Sequence, residues 1–256
     1  MRDMTSDHMM NSVEATRLNP RERPARFASV VVEELANEII RGALSEGEIL
    51  PTEPVLCEQF AFSRTVIREA LKMLEERGLV RVEQGRGTTV QPRAMWNLLD
   101  PLVLRIALSY DEDLRLLDEL VEVRMLLERE MAGAAAGRIT QEELAALEQT
   151  ISDMEGAYDD YESFRTFDQR FHAIVMKASG NEVGLTIVRV IHRHGDVTPP
   201  LAGRTSRAQL ERTAREHKGI YAALAEGDGD LAGDRIAAHI ESAWAERRRR
   251  GRRKRS

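Results

Sequence analysis

The chain has 256 residues, 42% hydrophobic and 31% charged, rich in Leu, Ala, Glu and Arg, which favours a mainly helical protein of two domains. A single cysteine excludes a disulfide framework or a Cys-rich zinc site, and no apolar run is long enough to cross a membrane or serve as a signal peptide, so a cytoplasmic location is expected. A formal net charge of -6 excludes a uniformly basic nucleic-acid binder: any such contact must come from a local cluster of Arg and Lys.

Residues 1–24 are polar and poorly periodic and read as a disordered segment that includes His8. From about Phe27 to Gly42, Val31, Val32, Leu35, Ile39 and Ile40 recur at helical spacing. Gly42 and Gly47 bracket a loop. Leu50-Pro51-Thr52-Glu53 opens a second helix, with Thr52 as N-cap and Pro54 in the first turn, where a missing N–H costs nothing. That helix is expected to bury Val55, Leu56 and Phe60, with Cys57 as a small core residue.

After a turn at Ala61-Phe62, Ser63 caps a third helix. Val66, Ile67, Ala70, Leu71 and Leu74 form its buried stripe, and Arg64, Thr65, Arg68 and Lys72 its outer face. Gly78 closes it. Leu79–Val82 and Thr88–Val90 are β-branched and flank Gln84-Gly85-Arg86-Gly87, the pattern of a hairpin with Arg at its tip. Two short helices, donors at the start of the second, and a basic hairpin suit a major groove and the phosphates beside it. Each arginine alone would read as a solvated surface charge. Their joint placement favours a winged helix-turn-helix over residues 25–92, although the segment as a whole is slightly acidic.

Gln91-Pro92-Arg93 reads as a linker. Beyond Trp96 helices are expected near 97–109, 113–136, 140–157, 159–179, 181–195, 206–226 and 230–249, with breaks at Thr198-Pro199-Pro200 and Gly227-Asp228-Gly229-Asp230. This is an all-α antiparallel bundle over 96–247. Asp168 and His172 are i, i+4 and share a helix face. His217 and His239 lie ten residues either side of the Gly227 and Gly229 break, so in a helical hairpin they stand at similar heights, roughly 15 Å from the turn. One carboxylate and three imidazoles converging on a point suit a divalent first-row metal: zinc first, nickel or manganese otherwise. Each His alone reads equally as a hydrogen-bonded, partly buried residue. His192 and His194, spaced i, i+2, read as surface or pocket-rim residues, and Glu216 should face away from His217. The last ten residues carry eight positive charges, a basic tail over 248–256 that either attracts phosphates or is a solvated end.

Leu50-Pro51-Thr52-Glu53, Phe62-Ser63-Arg64-Thr65-Val66-Ile67-Arg68-Glu69-Ala70-Leu71, Gly78-Leu79-Val80 and Gly85-Arg86-Gly87, in this order and spacing, resemble the GntR family of bacterial regulators. The resemblance implies DNA contacts from Thr52, Ser63, Arg64, Thr65 and Arg68, and from Gly85 and Arg86 in the wing. Pro54 stands where that family often has a contacting Arg. Asp168-x3-His172, Glu216-His217 and His239-Ile240, with Leu98-Leu99-Asp100-Pro101, Arg124, Glu128 and Arg138-Ile139-Thr140, are similar to the FCD sensing domain of the FadR-like subgroup. That similarity implies a metal held by Asp168, His172, His217 and His239, which coordinates a small organic or sugar acid. Arg124 then pairs with the effector carboxylate or, alternatively, with Glu128 one turn away. The expected protein is a homodimeric, effector-responsive transcriptional regulator on a double-stranded operator, a repressor rather than an activator. Two rival readings are a metal-dependent hydrolase, disfavoured because no separate acid–base group is evident, and a DNA-binding protein with an inert bundle.

Overall fold

A computed structural model describes residues 22–195 and 205–253. The expectations for the segment before Glu22, for the Thr198-Pro199-Pro200 break, for the His194 side chain and for the last three residues lie outside the described residues. The chain divides into two compact units, one from the first helix to Ile39 with Leu44–Met95, the other Ile40–Ala43 with the chain from Trp96.

In the first unit, α1 (Glu22–Ile40) begins earlier than its apolar period indicates. It buries Val31, Val32, Leu35 and Ile39. Helix α2 (Glu53–Phe60) has only two turns and buries Leu56 alone. Val55, expected inside, is 41% exposed, and Cys57 and Phe60 are only partly buried, because this short helix turns Leu56 alone fully inward. Ala61 in left-handed conformation (φ 55°) reverses the chain into α3 (Arg64–Glu76). Ser63 caps α3 by accepting from Val66 N, and Val66, Ile67, Ala70, Leu71 and Leu74 are buried as the period requires. At its end the Gly78 N–H donates to Glu75 O and the Leu79 N–H to Leu74 O, a paired closure that needs the positive φ of Gly78.

Strands β1 (Val80–Glu83) and β2 (Gly87–Val90) form the antiparallel wing, Val80 opposite Val90. A third edge was not legible in the sequence. Ile49 bridges Thr89, and the Leu50 N–H donates to Thr88 O at 2.8 Å, so the loop before α2 extends the sheet. The Glu75 carboxylate accepts the Val82 N–H at 2.8 Å, which ties the wing to α3.

The second unit holds seven helices among the described residues: α4 (Pro101–Ser109), α5 (Arg115–Ala136), α6 (Gln141–Gly156), α7 (Tyr161–Ala178), α8 (Glu182–Gly195), α9 (Arg207–Glu226) and α10 (Gly229–Arg253). Most starts are written locally. Asp100 accepts from Leu102 N and Val103 N, which delays α4 from the expected 97 to Pro101 and leaves a 3-10 turn at Arg93–Met95. Thr140 with Glu143 and Ser206 with Gln209 form reciprocal capping boxes on α6 and α9. Gly227 (φ 72°) closes α9, and the two-residue connection makes α9 and α10 a helical hairpin. Helix α10 continues past the expected 249 to Arg253, and Arg248, at the start of the basic run, binds Asp118 of α5 at 2.7 Å. The core comprises Leu147, Met154, Phe171, Met176, Ile220 and Ile236 with their neighbours, each large side chain contributing about 1.5–3 kcal/mol through burial.

Helix α10 lies close on α5 because both carry small residues at the crossing. A Cβ on Gly233 would stand 2.8 Å from the backbone oxygen of Arg129. Gly233→Ala is therefore expected to destabilise the bundle by about 1–2 kcal/mol, overpacking outweighing the helix-propensity gain. A thermal unfolding midpoint at or above that of the parent would contradict this packing.

Candidate metal centre and nucleic-acid interface

Helix α7 carries Asp168 and His172 on one face, and the α9–α10 hairpin brings His217 and His239 level, their ring centroids 4.5 Å apart. One ligand atom from each of Asp168, His172, His217 and His239 lies within 4.8 Å of the others. All three imidazoles are buried, and the Phe171 ring packs on His217 nearly at right angles, ring centroids 4.4 Å apart.

The outward ring nitrogens are committed elsewhere. His217 Nδ1 donates to Thr213 O at 2.8 Å, His239 Nδ1 to Glu216 Oε2 at 2.8 Å, and His172 Nδ1 is in short contact with Glu128. The Nε2 atoms of His217 and His239 are thereby left for the centre. His217 Nε2 is buried without a hydrogen-bond partner and faces Asp168 Oδ1 at 3.4 Å. Burial, and then the neighbouring charge of His239, push the His217 imidazole down to about 3, so at neutral pH this nitrogen is a lone pair. Burial works to raise the Asp168 carboxyl, but the charges of His172, His217, His239 and Arg124 outweigh it and hold the group well below the usual range. A lone pair therefore faces a carboxylate oxygen, an arrangement that a shared cation resolves and an empty apolar contact does not. Three imidazoles and a carboxylate fit a divalent first-row metal with coordination positions to spare.

Glu128 is fully buried at the back of the cluster. Arg124 Nε donates to its Oε1 at 2.5 Å, and Arg124 also reaches His172 Nε2 at 3.4 Å. Burial raises the Glu128 carboxyl, yet Arg124, His172 and His192 together pull it well below its ordinary value. The i, i+4 ion pair is thus present, and the rest of the Arg124 side chain lines a cavity. His192 is not a surface residue: its side chain is 9% exposed and Nε2 lies 2.9 Å from Glu128 Oε1. The i, i+2 spacing placed His192 and His194 on different sides of α8 but did not say which side faces the core. Glu216 does turn away from His217, but toward His239 on α10. No local signal indicates either contact, because the partners are 64 and 23 residues apart.

The cavity beside the cluster measures about 80 Å³, and Val121, Arg124, Asp168, Gln209, Thr213 and His239 are among its lining. That is room for several water-sized groups, hence a small ligand.

In the first unit, Arg64 and Thr65 are exposed at the start of α3, where unpaired backbone N–H groups favour anions. Arg68 is exposed too, but its Nε donates to both carboxylate oxygens of Glu53, at 3.0 and 2.8 Å. Glu53 therefore aims this guanidinium from the first turn of α2. Ser63 spends its hydroxyl on the cap, whereas Thr52, at the N-cap position of α2, makes no side-chain cap bond and leaves its hydroxyl exposed. Arg86 is exposed at the tip of the wing between Gly85 (φ 78°) and Gly87 (φ 96°).

The model of the "Bacterial regulatory proteins, gntR family" matches residues 27–90, and that of the FCD domain residues 119–242. The galactonate operon transcriptional repressor of Escherichia coli K12 is 34% identical over 213 residues, 83% of this chain and 93% of the relative. The chain belongs to the GntR family. Within that family the HTH-type transcriptional regulator LutR of Bacillus subtilis 168 is 30% identical over 206 residues, 79% of this chain and 92% of LutR. The solved structure of Lar, from Listeria monocytogenes, shares the fold at a TM-score of 0.56 and 23% identity, over 90% of this chain and 96% of that one. This GntR regulator is accordingly a DNA-binding transcriptional regulator with an FCD domain, and its relatives are regulators rather than enzymes. Among its described residues no helix is long and apolar enough to cross a membrane.

Proposed function

We propose that this regulator is a repressor whose operator affinity is modulated by a small organic acid, most readily a sugar acid, bound beside a zinc ion held by Asp168, His172, His217 and His239. The observation that carries this reading is the buried His217 Nε2 facing the Asp168 carboxylate with no hydrogen-bond partner, next to a small cavity of mixed polar and apolar lining. Nickel or manganese would suit the same donors. The bound ion would supply a Lewis-acidic position for the effector carboxylate. Arg124 reaches the cavity while anchored on Glu128, and can orient that carboxylate through its remaining N–H groups. Gln209 and Thr213 offer polar contacts to hydroxyl groups. Similarity to the galactonate operon repressor supports a sugar acid as the first compound to try. The nearby carboxylates Glu128 and Glu216 are both engaged by imidazoles, which speaks against a hydrolytic general base.

The operator is read by Arg64, Thr65 and Arg68 at the start of α3, with Thr52, Ser63, Gly85 and Arg86 beside them. A homodimer matches a palindromic operator, and the exposed Val123 and Leu126 of α5 support self-association. A regulator of DNA in a bacterium acts in the cytoplasm. Effector binding shifts operator affinity only by its differential affinity for the two states of the protein.

The test is operator binding, on a duplex selected in vitro, with zinc-loaded and chelator-stripped protein titrated with galactonate and a panel of other small carboxylates. A shift in operator affinity confined to the zinc-loaded protein is expected. Responses indifferent to zinc would defeat the metal-centred reading. In the same assay Arg64→Ala is expected to weaken binding by about 1–3 kcal/mol, as for loss of one specific arginine contact. Parent-like affinity would remove Arg64 from the interface.

A further inference from the structure

Glu216 immediately precedes a proposed ligand, yet it serves another one. Its Oε2 accepts from His239 Nδ1 at 2.8 Å and its Oε1 from Ser242 Oγ at 3.1 Å, both across the hairpin on α10. Arg212, one turn earlier on α9, stands 3.7 Å from Oε1. The same pattern recurs on α5, where Arg124 precedes Glu128 by one turn and Glu128 engages His172 Nδ1 from α7. Both arginines line the cavity. In each arm an arginine is thus followed four residues later by a glutamate, and the glutamate grips the outward nitrogen of an imidazole on a different helix. The third imidazole, His217, uses the backbone carbonyl of Thr213 instead.

We propose that Glu216 is a positioning residue of the metal centre: it fixes His239 as the Nδ1–H tautomer, aims Nε2 at the point shared with Asp168, His172 and His217, and strengthens that nitrogen as a donor. Glu128 does the same for His172. The inference rests on the metal reading above and extends it to residues outside the ligand set. An imidazole whose Nδ1 proton is committed to a carboxylate presents its lone pair only at Nε2, and the negative partner makes that lone pair more basic. The bland alternative is that Glu216 merely ties α9 to α10 through His239 and Ser242. That role predicts a loss of stability with no selective loss of metal.

The experiment compares the full-length parent with Glu216→Ala and Glu216→Gln. Zn²⁺ affinity is read by competition with a chromogenic chelator, and the ligand field by visible absorption of the Co²⁺-loaded proteins. Glu216→Ala is expected to weaken Zn²⁺ by about 10- to 100-fold, the usual effect of losing an outer partner of a ligand. Glu216→Gln, which retains an acceptor oxygen but not the charge, should fall between the two, with a shifted Co²⁺ spectrum. Parent-like Zn²⁺ affinity in Glu216→Ala overturns the proposal. Should Glu216→Ala not fold, Glu216→Gln decides by itself: weaker Zn²⁺ and a shifted spectrum support the role, and parent values for both overturn it. A parent that binds neither Zn²⁺ nor Co²⁺ overturns the metal reading and this role together, an outcome distinct because the parent itself then fails to respond.

Discussion

His217→Ala is expected to leave the protein without its metal. Elemental analysis of the purified parent should find a near-stoichiometric divalent ion, and the variant should hold almost none. The expected loss of affinity exceeds about 100-fold, since even an outer partner of a ligand is worth about 10- to 100-fold. His217 is the informative choice because its Nε2 is the buried, unpartnered atom of the cluster, while its Nδ1 bond to Thr213 O is local to α9. Thermal unfolding separates loss of metal from loss of fold. A ligand present at about 1,000 times its dissociation constant stabilises the native state by about 4 kcal/mol. Added zinc should therefore raise the midpoint of the stripped parent by several degrees and leave that of His217→Ala unmoved. A variant that retains one equivalent of metal would show that His217 is not a ligand.

Glu128→Ala is expected to cost the metal-free bundle about 3–5 kcal/mol near pH 7, the range for removing one member of a buried ion pair. Glu128 is fully buried, Arg124 is 18% exposed and His172 is 1% exposed, so water offers little compensation to the groups left behind. The pH dependence provides an internal check. The Glu128 carboxyl sits below its ordinary value of 4.5 in the native state, because Arg124, His172 and His192 outweigh its burial. The unfolded chain therefore takes up the proton first as pH falls, and native stability falls with it. The contribution of Glu128 is fully present above pH 4.5, declines below it and is lost as pH falls through the lower native value. The gap between parent and variant, measured by urea unfolding of stripped proteins, should be wide at pH 7 and narrower at pH 4. A gap below about 1 kcal/mol at pH 7 would mean that the arginine and the two histidines find other partners.

Both predictions turn on contacts that differ in how far they could be read along the chain. The helices were legible because their signals are local: the apolar stripe of α3 from Val66 to Leu74, the capping box of Thr140 and Glu143, and the left-handed closure at Gly227. Asp168 and His172 share a face through helical period alone, and His217 and His239 meet because equal distances from one turn give equal heights in a hairpin. Arg64 and Arg86 stand exposed where a capped helix and a glycine-flanked tip placed them.

The partners of those groups were decided only by tertiary structure. His172 and Glu128 are 44 residues apart, His192 and Glu128 are 64 apart, and Arg68 meets Glu53 across the helix-turn-helix. The extra bridge at Ile49 likewise depends on a loop returning to β2. Period and capping fix which way a side chain leaves its own helix. What it meets there depends on how closely and at what angle a second helix crosses, which the small residues of α5 and α10 and the packing of the shared core determine together. The sequence by itself therefore determined the elements, the candidate ligands and the exposed arginines of α3 and the wing. The crossing of α5, α7, α8, α9 and α10 decided which carboxylate meets His172, His192 and His239.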